Sequence, residues 1–224
     1  NTLLDSPDQD HKLLGRAVAN CIRSGGGGDE LLWKFVAGQL TNDDILGYHF
    51  GEKIYSQGYH FGSDSDGFFE DQILHSTKLL DLAISAIAEW RKIKTDNLGY
   101  RDSFLSQTSH NDYHTKFDHG HLDSDRTLFD AIENSILFHA KNNTDWWNLN
   151  CENLCFSDEL ALRYFGLLGC TNNSLTNIPL IGKLLSNVES YKSELTYELG
   201  NLINVSFVYL DPKTQESVIK TIFS

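Results

Sequence analysis

The sequence predicts a mainly α-helical fold that forms a single domain over residues 1–224. Apolar residues recur at intervals of three and four along most of the chain, residues that favour helix N-termini precede several of these stretches, and only three prolines occur. With 224 residues, 40% of them hydrophobic, the chain is long enough to bury a core of its own. We therefore expect a helical bundle of irregular packing with a long ordered loop rich in histidine and aspartate.

The N-terminal half contains the strongest predicted helix. Apolar side chains from about Phe69 to Lys94 form a wide stripe at helical spacing, which predicts a central and largely buried helix. Shorter helices are predicted over Leu13–Ile22, from Asp29 and from Thr41, the last two because acidic or hydroxyl residues favour helix N-termini.

The C-terminal half contains four more predicted helices. The first begins at Ser124 or Asp125 and reaches Ala140, and the second runs from Ser157 to about Leu168. The third extends from Pro179 to Leu202, and the fourth from Lys213 to Phe223. Asn142–Cys155 shows no clear period and is predicted to be irregular. Val205–Leu210 is typical of a strand, so at most a small β element is expected near residues 205–210.

The segment Thr95–Asp125 shows no sustained period, which predicts a long ordered or functional loop. Four of the nine histidines of the chain lie in this loop within twelve residues of one another, together with several aspartates. Neutral imidazole is the commonest protein ligand for transition metals, and carboxylates complete many such sites. The candidate metal ligands are His110, His114, Asp118, His119 and His121.

The spacing of these histidines is compatible with a three-ligand metal site. His110 and His114 are four residues apart and would share one face of a helical turn, whereas His119 and His121 would share one face of an extended stretch. Either pair, completed by an aspartate, would leave an open position on zinc or another divalent transition metal. A water bound there becomes acidic enough to act as a nucleophile near neutral pH.

Two further aspartates of the loop are candidate catalytic residues. Asp112 or Asp123 would accept a proton from the metal-bound water of a hydrolase. The loop lacks His-Glu-x-x-His and the other established zinc spacings, so a polar surface loop that binds no metal is the alternative.

Aromatic and histidine residues outside the loop have two interpretations. A group of aromatic residues would line a groove for a sugar or an apolar ligand, or would instead belong to the core. His75 and His139 lie among apolar residues of predicted helices and are predicted to be hydrogen-bonded core histidines. The aromatic group comprises Tyr48, Phe50, Tyr59, Phe61, Trp146 and Trp147.

The four cysteines are an even set that fits two disulfides or four buried thiols. For Cys151 and Cys155, a disulfide with Cys21 or Cys170 is favoured over a zinc site, because no second closely spaced cysteine pair occurs. Cysteine parity, the absence of methionine and the Asn-rich composition favour an extracytoplasmic or secreted protein.

A short segment is similar to one family of enzymes. Residues 118–121, followed by Ser124, Asp125 and Arg126, loosely resemble the acid–base segment of secreted haem-thiolate peroxygenases. The resemblance covers under a dozen residues, and the Pro-Cys-Pro haem-ligand motif of that family is absent around Cys21. The sequence is therefore not assigned to the family.

Two function classes remain open from the sequence, and it does not decide whether the protein is an enzyme. A net charge of −13 disfavours nucleic acids and anionic membranes as partners, and no apolar stretch predicts a transmembrane segment. The first class is a secreted binding or effector protein that uses the loop and nearby aromatics to bind a protein, small-molecule or sugar ligand. The alternative is a zinc-type hydrolase that uses residues 110–125.

Overall fold

The computed structural model describes residues 29, 73–89, 94–95, 99–100, 104–107 and 124–223. Most of these residues are helical, which confirms the mainly α-helical class. Contacts divide the chain into two compact units, residues 1–132 and 133–224, and the single domain stays a prediction. The helices predicted at 13–22 and from Thr41 lie outside the described residues.

The first unit contains the most strongly predicted helix. This helix, α1, spans Thr77–Glu89, and residues 73–75 before it are also helical. Ser76 begins α1, since its hydroxyl accepts a hydrogen bond from the backbone N–H of Leu79 at 3.1 Å. The described centre of the predicted helix is thus confirmed, whereas its predicted last residue, Lys94, lies in a strand.

Two very short strands and a short helix follow α1 in the first unit. Strand β1, Lys94–Thr95, pairs antiparallel with β2, Gly99–Tyr100. Helix α2, Phe104–Gln107, begins with a fully buried phenylalanine whose ring centroid lies 6.5 Å from that of Phe129. The start of the segment predicted as a loop therefore contains regular structure and contributes to the core.

Helix α3 spans Ser124–Lys141, in agreement with the predicted start and end. Its C-terminus closes with a left-handed residue, Asn143, whose φ is 47°. The Asn143 N–H donates to the carbonyl of Ala140 and the Thr144 N–H to that of His139, both at 3.1 Å. This pair of hydrogen bonds is a Schellman motif, in which asparagine tolerates the left-handed conformation.

The second unit consists of helices joined by short connections. Helix α5, Leu160–Asn172, and helix α9, Pro212–Ile222, confirm the predictions that begin at Ser157 and at Lys213, and α5 extends four residues beyond the predicted end. The elements that follow α3 are α4 (Asp145–Cys155), α5 (Leu160–Asn172), α6 (Ile178–Leu185), α7 (Val188–Tyr191), α8 (Thr196–Ser206), a 3₁₀ turn (Phe207–Tyr209) and α9 (Pro212–Ile222).

The prediction that Asn142–Cys155 is irregular is wrong, because residues 145–155 form α4. Thr144 caps α4, since its hydroxyl accepts a hydrogen bond from the Trp147 N–H at 3.3 Å. Apolar residues at helical spacing then give α4 a buried face, which outweighs the low helix propensity of its asparagines. The buried residues of α4 are Trp146, Trp147, Cys151, Leu154 and Cys155.

The long helix predicted from Pro179 to Leu202 is also wrong, since the structure divides it into α6, α7 and α8. Pro179 does lie in the first turn of α6, as expected. The break after α6 is stabilised by Asn187, whose side chain accepts a hydrogen bond from the N–H of Glu189. The Ser190 hydroxyl also donates to the carbonyl of Leu184 at 3.0 Å. These polar side chains satisfy backbone groups that a continuous helix would otherwise pair.

The β element expected near residues 205–210 is absent from this fully described segment, in which residues 205–209 are helical. Ser206 and Leu210 are buried, whereas Val208 and Tyr209 between them are exposed. In a strand Ser206, Val208 and Leu210 would share one face, so the exposure of Val208 excludes strand alternation. The run of apolar and β-branched residues misled the prediction because propensity is weaker than tertiary packing.

Helices α4 and α5 pack closely against each other through two glycines of α5. A Cβ at Gly166 would lie 2.7 Å from the backbone nitrogen of Cys155, and one at Gly169 would collide with the indole of Trp147. Residues later in α5 thus contact residues earlier in α4, so the two helices form an antiparallel hairpin. The other face of α5 packs on α8, whose Leu199 and Leu202 are buried.

No helix in the part of the chain that the structure describes is both long and apolar enough to cross a membrane.

The close approach of α4 and α5 makes a testable prediction. We expect Gly166→Ala to lower the free energy of unfolding by about 1–3 kcal/mol, because the new methyl group meets backbone atoms that cannot move aside alone. Urea unfolding followed by circular dichroism measures this change.

Gly200→Ala is the matched control for this substitution. Gly200 lies in α8, and a Cβ there would meet no atom within 4 Å, so alanine should stabilise the protein by about 0.4–1 kcal/mol. Equal effects of the two substitutions would contradict a tight contact at Gly166.

Candidate functional site

The predicted metal and catalytic residues lie outside the described residues. The structure therefore leaves the predicted site untested, and its ligand set stays a prediction. These residues are His110, Asp112, His114, Asp118, His119, His121 and Asp123. Within the described residues, no group of three or more histidine, cysteine, aspartate or glutamate side chains is arranged to hold a metal ion.

The groove interpretation of the aromatic residues is wrong for the two tryptophans. Trp147 is fully buried and Trp146 is 8% exposed, so both belong to the core of the second unit. The four remaining aromatics of that group, at positions 48, 50, 59 and 61, lie outside the described residues.

The two histidines predicted to be buried have different surroundings. His139 is buried, as predicted, and its Nδ1 lies 2.9 Å from the hydroxyl of Thr144. Its ring also packs against the indole of Trp146, with centroids 5.1 Å apart. His75 is exposed, so that prediction is wrong. Its apolar neighbours in the sequence face the core while the imidazole faces outward, as helical periodicity allows.

Helix α9 presents apolar side chains to solvent. Ile219, Ile222 and Phe223 are 47%, 44% and 84% exposed, and we call these three residues the C-terminal apolar face. They are three and four residues apart, so they are neighbours on one side of the helix. Val218, next to Ile219 in sequence and one helical turn before Ile222, is fully buried and anchors α9 to the core. The exposed apolar residues therefore border the buried side of the helix.

Helix α9 is capped at its start and packs against α6. The carboxylate of Asp211 accepts hydrogen bonds from the N–H groups of Lys213 and Thr214 and from the Thr214 hydroxyl. Gly182 of α6 lets α9 approach, since a Cβ there would lie 2.9 Å from the Thr214 methyl group. Near the end of α9, the Thr221 hydroxyl lies 3.0 Å from the carbonyl of Ser217 in the same helix and 3.3 Å from that of Ser186. The apolar face thus lies at the end of a capped and packed helix.

Charged residues flank the C-terminal apolar face on α9 itself. Glu216 and Lys220 form an exposed ion pair at 2.8 Å, one helical turn apart. The paired charges leave no strong local field around the face, so binding there would depend on apolar contact.

A second feature is a cluster of three cysteines between α4 and α5. Cys151, Cys155 and Cys170 are buried thiols, and no described pair of them is bonded. The sulfurs of Cys155 and Cys170 are 3.6 Å apart. The predicted disulfide partner Cys21 lies outside the described residues. The described residues include only the predicted disulfide pairings that involve Cys170. The sulfur next to that of Cys170 belongs to Cys155, and the two are not bonded.

The environment of the cluster keeps the thiols of Cys151 and Cys155 protonated. Hydrogen bonding with Cys170 and burial raise the pKa of the Cys155 thiol well above its usual value. Burial, with the charge of Cys170, also raises the pKa of Cys151. Thiols with raised pKa values are poor metal ligands and poor nucleophiles, because the thiolate is the reactive form.

Sequence reasoning missed both features of the second unit. The signal for the cysteine cluster was the four-residue spacing of Cys151 and Cys155, which matches the spacing of Gly166 and Cys170. The signal for the apolar face was the cluster of large apolar residues near the end of the last helix, Val218, Ile219, Ile222 and Phe223. Neither signal could be recognised before α4 was known to be helical and Val218 was known to be the buried residue.

Comparison with known proteins finds no matching family model, no similar curated protein and no similar solved structure. The function must therefore be argued from the residues of this chain.

The cap of α9 predicts a pH dependence of stability. The hydroxyl and N–H of Thr214 hold the pKa of Asp211 below its usual value, so the ionised carboxylate stabilises the fold. The contribution is fully present above the usual pKa and is lost as the pH falls through the lowered one. We expect wild type to lose its advantage over Asp211→Asn below about pH 4, measured as the urea midpoint from pH 2 to 6.

Thr214→Val is the matched variant for this measurement. It keeps the methyl group that contacts Gly182 and removes the hydroxyl that donates to Asp211. The pH-dependent difference should shrink in this background, and identical pH profiles for wild type and Asp211→Asn would rule out a stabilising carboxylate.

Proposed function

We propose that this protein is an extracytoplasmic, non-catalytic binding protein that docks a partner protein on the C-terminal apolar face. The observation that carries the proposal is the exposure of Ile219, Ile222 and Phe223 close together at the end of a capped helix. Exposure of adjacent large apolar side chains to water is unfavourable. Burying them against a partner stabilises the complex by about 25 cal/mol per Å² of apolar surface.

The position of the face supports protein binding. Helix α7, which packs on α9, also carries an exposed apolar side chain, since Val188 is 45% exposed. Helix faces of this kind bind apolar grooves or other helix faces, with anchors three and four residues apart. The cap of α9 and its packing on α6 order the helix before binding, which limits the conformational entropy that binding costs.

The charge of the chain indicates the chemistry of the partner. A net charge of −13 would attract a protein whose docking surface is apolar at its centre and basic around its edge. The ion pair of Glu216 and Lys220 beside the face is neutral as a unit, so this attraction comes from the chain as a whole. We therefore expect association to slow as the salt concentration rises, with a smaller effect on dissociation.

Photocrosslinking tests this proposal. A benzoylphenylalanine replacing Phe223 should form adducts with a partner from the extracellular fluid of the source, while the same group at Tyr197 should not. Both positions are exposed aromatics, at 84% and 75%, but only Phe223 belongs to the face. Equal adducts at both positions would contradict a specific docking surface.

The purified partner then allows a quantitative test. We expect Ile219→Glu to weaken its binding at least about tenfold, because a charge would be buried in the interface. Val208→Glu is the matched control, since Val208 is 72% exposed and lies in the 3₁₀ turn away from the face. Calorimetric titration gives both affinities, and an unchanged affinity for Ile219→Glu would overturn the proposal.

The histidine-rich loop supports a second activity, binding of zinc or another divalent transition metal. Four histidines within twelve residues are the specific observation that favours it. In the alternative function, that metal activates water for hydrolysis.

Metal binding by the loop has its own test. Untagged protein titrated with zinc should bind the ion, and alanine at His114, His119 and His121 should abolish that binding. His75→Ala is the control, because His75 is an exposed histidine on a helix far from the loop in sequence. Equal zinc binding by the triple variant and by wild type would rule out metal binding by the loop and the hydrolase activity that depends on it.

A further inference from the structure

We propose that Cys155 and Cys170 are a redox site, which a small disulfide such as oxidised glutathione converts into an intramolecular disulfide joining α4 to α5. The inference does not depend on the proposed binding function. It rests on the distance between the two sulfurs, on the packing that brings them together and on the different surroundings of the third thiol.

The geometry already holds the two sulfurs next to each other. Their separation is 3.6 Å, and both residues are buried, with exposed fractions of 1% and 0%. A disulfide bond is about 2.05 Å long, so the sulfurs must approach by less than 2 Å. The two cysteines belong to consecutive helices of one hairpin, so no other part of the fold has to rearrange to join them.

The glycine contact explains why the sulfurs meet. Gly166 lies one helical turn before Cys170 on α5, so both occupy the same side of that helix. Because Gly166 has no side chain, the backbone of α5 reaches the backbone of Cys155, and the short cysteine side chains span the remaining gap. Larger residues at this contact would separate the helices beyond the reach of a disulfide.

Cys151 is the competing thiol, and its contacts distinguish it from Cys155. Its sulfur lies 3.9 Å from the carbonyl of Asn148 and 4.0 Å from the side-chain oxygen of Asn177. These contacts direct the Cys151 thiol towards oxygen atoms, whereas the Cys155 thiol is directed towards Cys170. We therefore expect one specific pairing and a third thiol that stays reduced.

The reaction is two successive thiol–disulfide exchanges. A thiolate of the pair attacks one sulfur of oxidised glutathione, which forms a mixed disulfide and releases one glutathione as its thiolate. The second protein thiolate then attacks the protein sulfur of the mixed disulfide and releases the other glutathione. Two protein thiols are oxidised to one disulfide, one glutathione disulfide is reduced to two thiols, and each thiol proton ends on glutathione or in the solvent.

Burial controls the rate of this reaction. Both sulfurs are out of reach of solvent, so glutathione gains access only when the hairpin opens or before it has closed during folding. The folded, reduced protein should therefore react slowly, and protein refolding from urea should react quickly.

Peptide mapping tests the proposal. The full chain is refolded from urea in a mixture of oxidised and reduced glutathione, its remaining thiols are alkylated under denaturing conditions, and unreduced peptides are analysed by mass spectrometry. We expect one crosslink, between Cys155 and Cys170, with Cys151 alkylated. A crosslink that contains Cys151 or Cys21, a persistent glutathione adduct, or no crosslink would each overturn the pairing.

Variants and a stability measurement complete the test. Cys151→Ala should retain the crosslink, whereas Cys155→Ala and Cys170→Ala should lose it. For wild type, oxidation should lower the equilibrium constant for unfolding on the order of 100-fold, the value that loop-closure entropy gives for a loop of about 15 residues. An oxidised protein no more resistant to urea than the reduced one would show that the bond strains the hairpin, against the geometry argued above.

Discussion

The contact between α4 and α5 is the constraint on which the second unit depends. Two helices approach this closely only where side chains are missing, and Gly166 and Gly169 provide that space against Cys155 and Trp147. The contact buries a tryptophan and brings two sulfurs together. It also leaves the other face of α5 free to pack on α8. Close helix packing of this kind gains dispersion energy from many atoms but tolerates no added methyl group.

The sequence predicted the helical class and the starts of four described helices, α3, α5, α6 and α9, because capping residues and apolar periodicity act locally. Ser124, Glu159 and Asp211 begin or precede helices where the pattern indicated. The errors arose where packing outweighed local propensity. The asparagines of α4 disguised a buried face, polar residues after Leu185 divided a long amphipathic run, and the β-branched stretch after Asn204 folded as a helical turn.

The two features of the second unit were out of reach of the sequence for different reasons. The pairing of Cys155 with Cys170 depends on the register in which α4 and α5 pack against each other. The spacing of cysteines along the chain does not define that register. The apolar face of α9 required knowing which of the apolar residues near its end are covered, and of these only Val218 is buried. The histidine-rich loop differs from these two features, because its composition is evident from the sequence. Whether its histidine side chains meet around one metal ion depends on tertiary folding.

The corner between α3 and α4 has a consequence for how the second unit comes apart. Thr144 closes the end of one helix with its backbone N–H and begins the next with its hydroxyl. One residue thus serves two helix termini, and fraying of either terminus releases the other. The corner has no spare residue to act as a hinge, so the last turn of α3 and the first turn of α4 should open and close as one cooperative block.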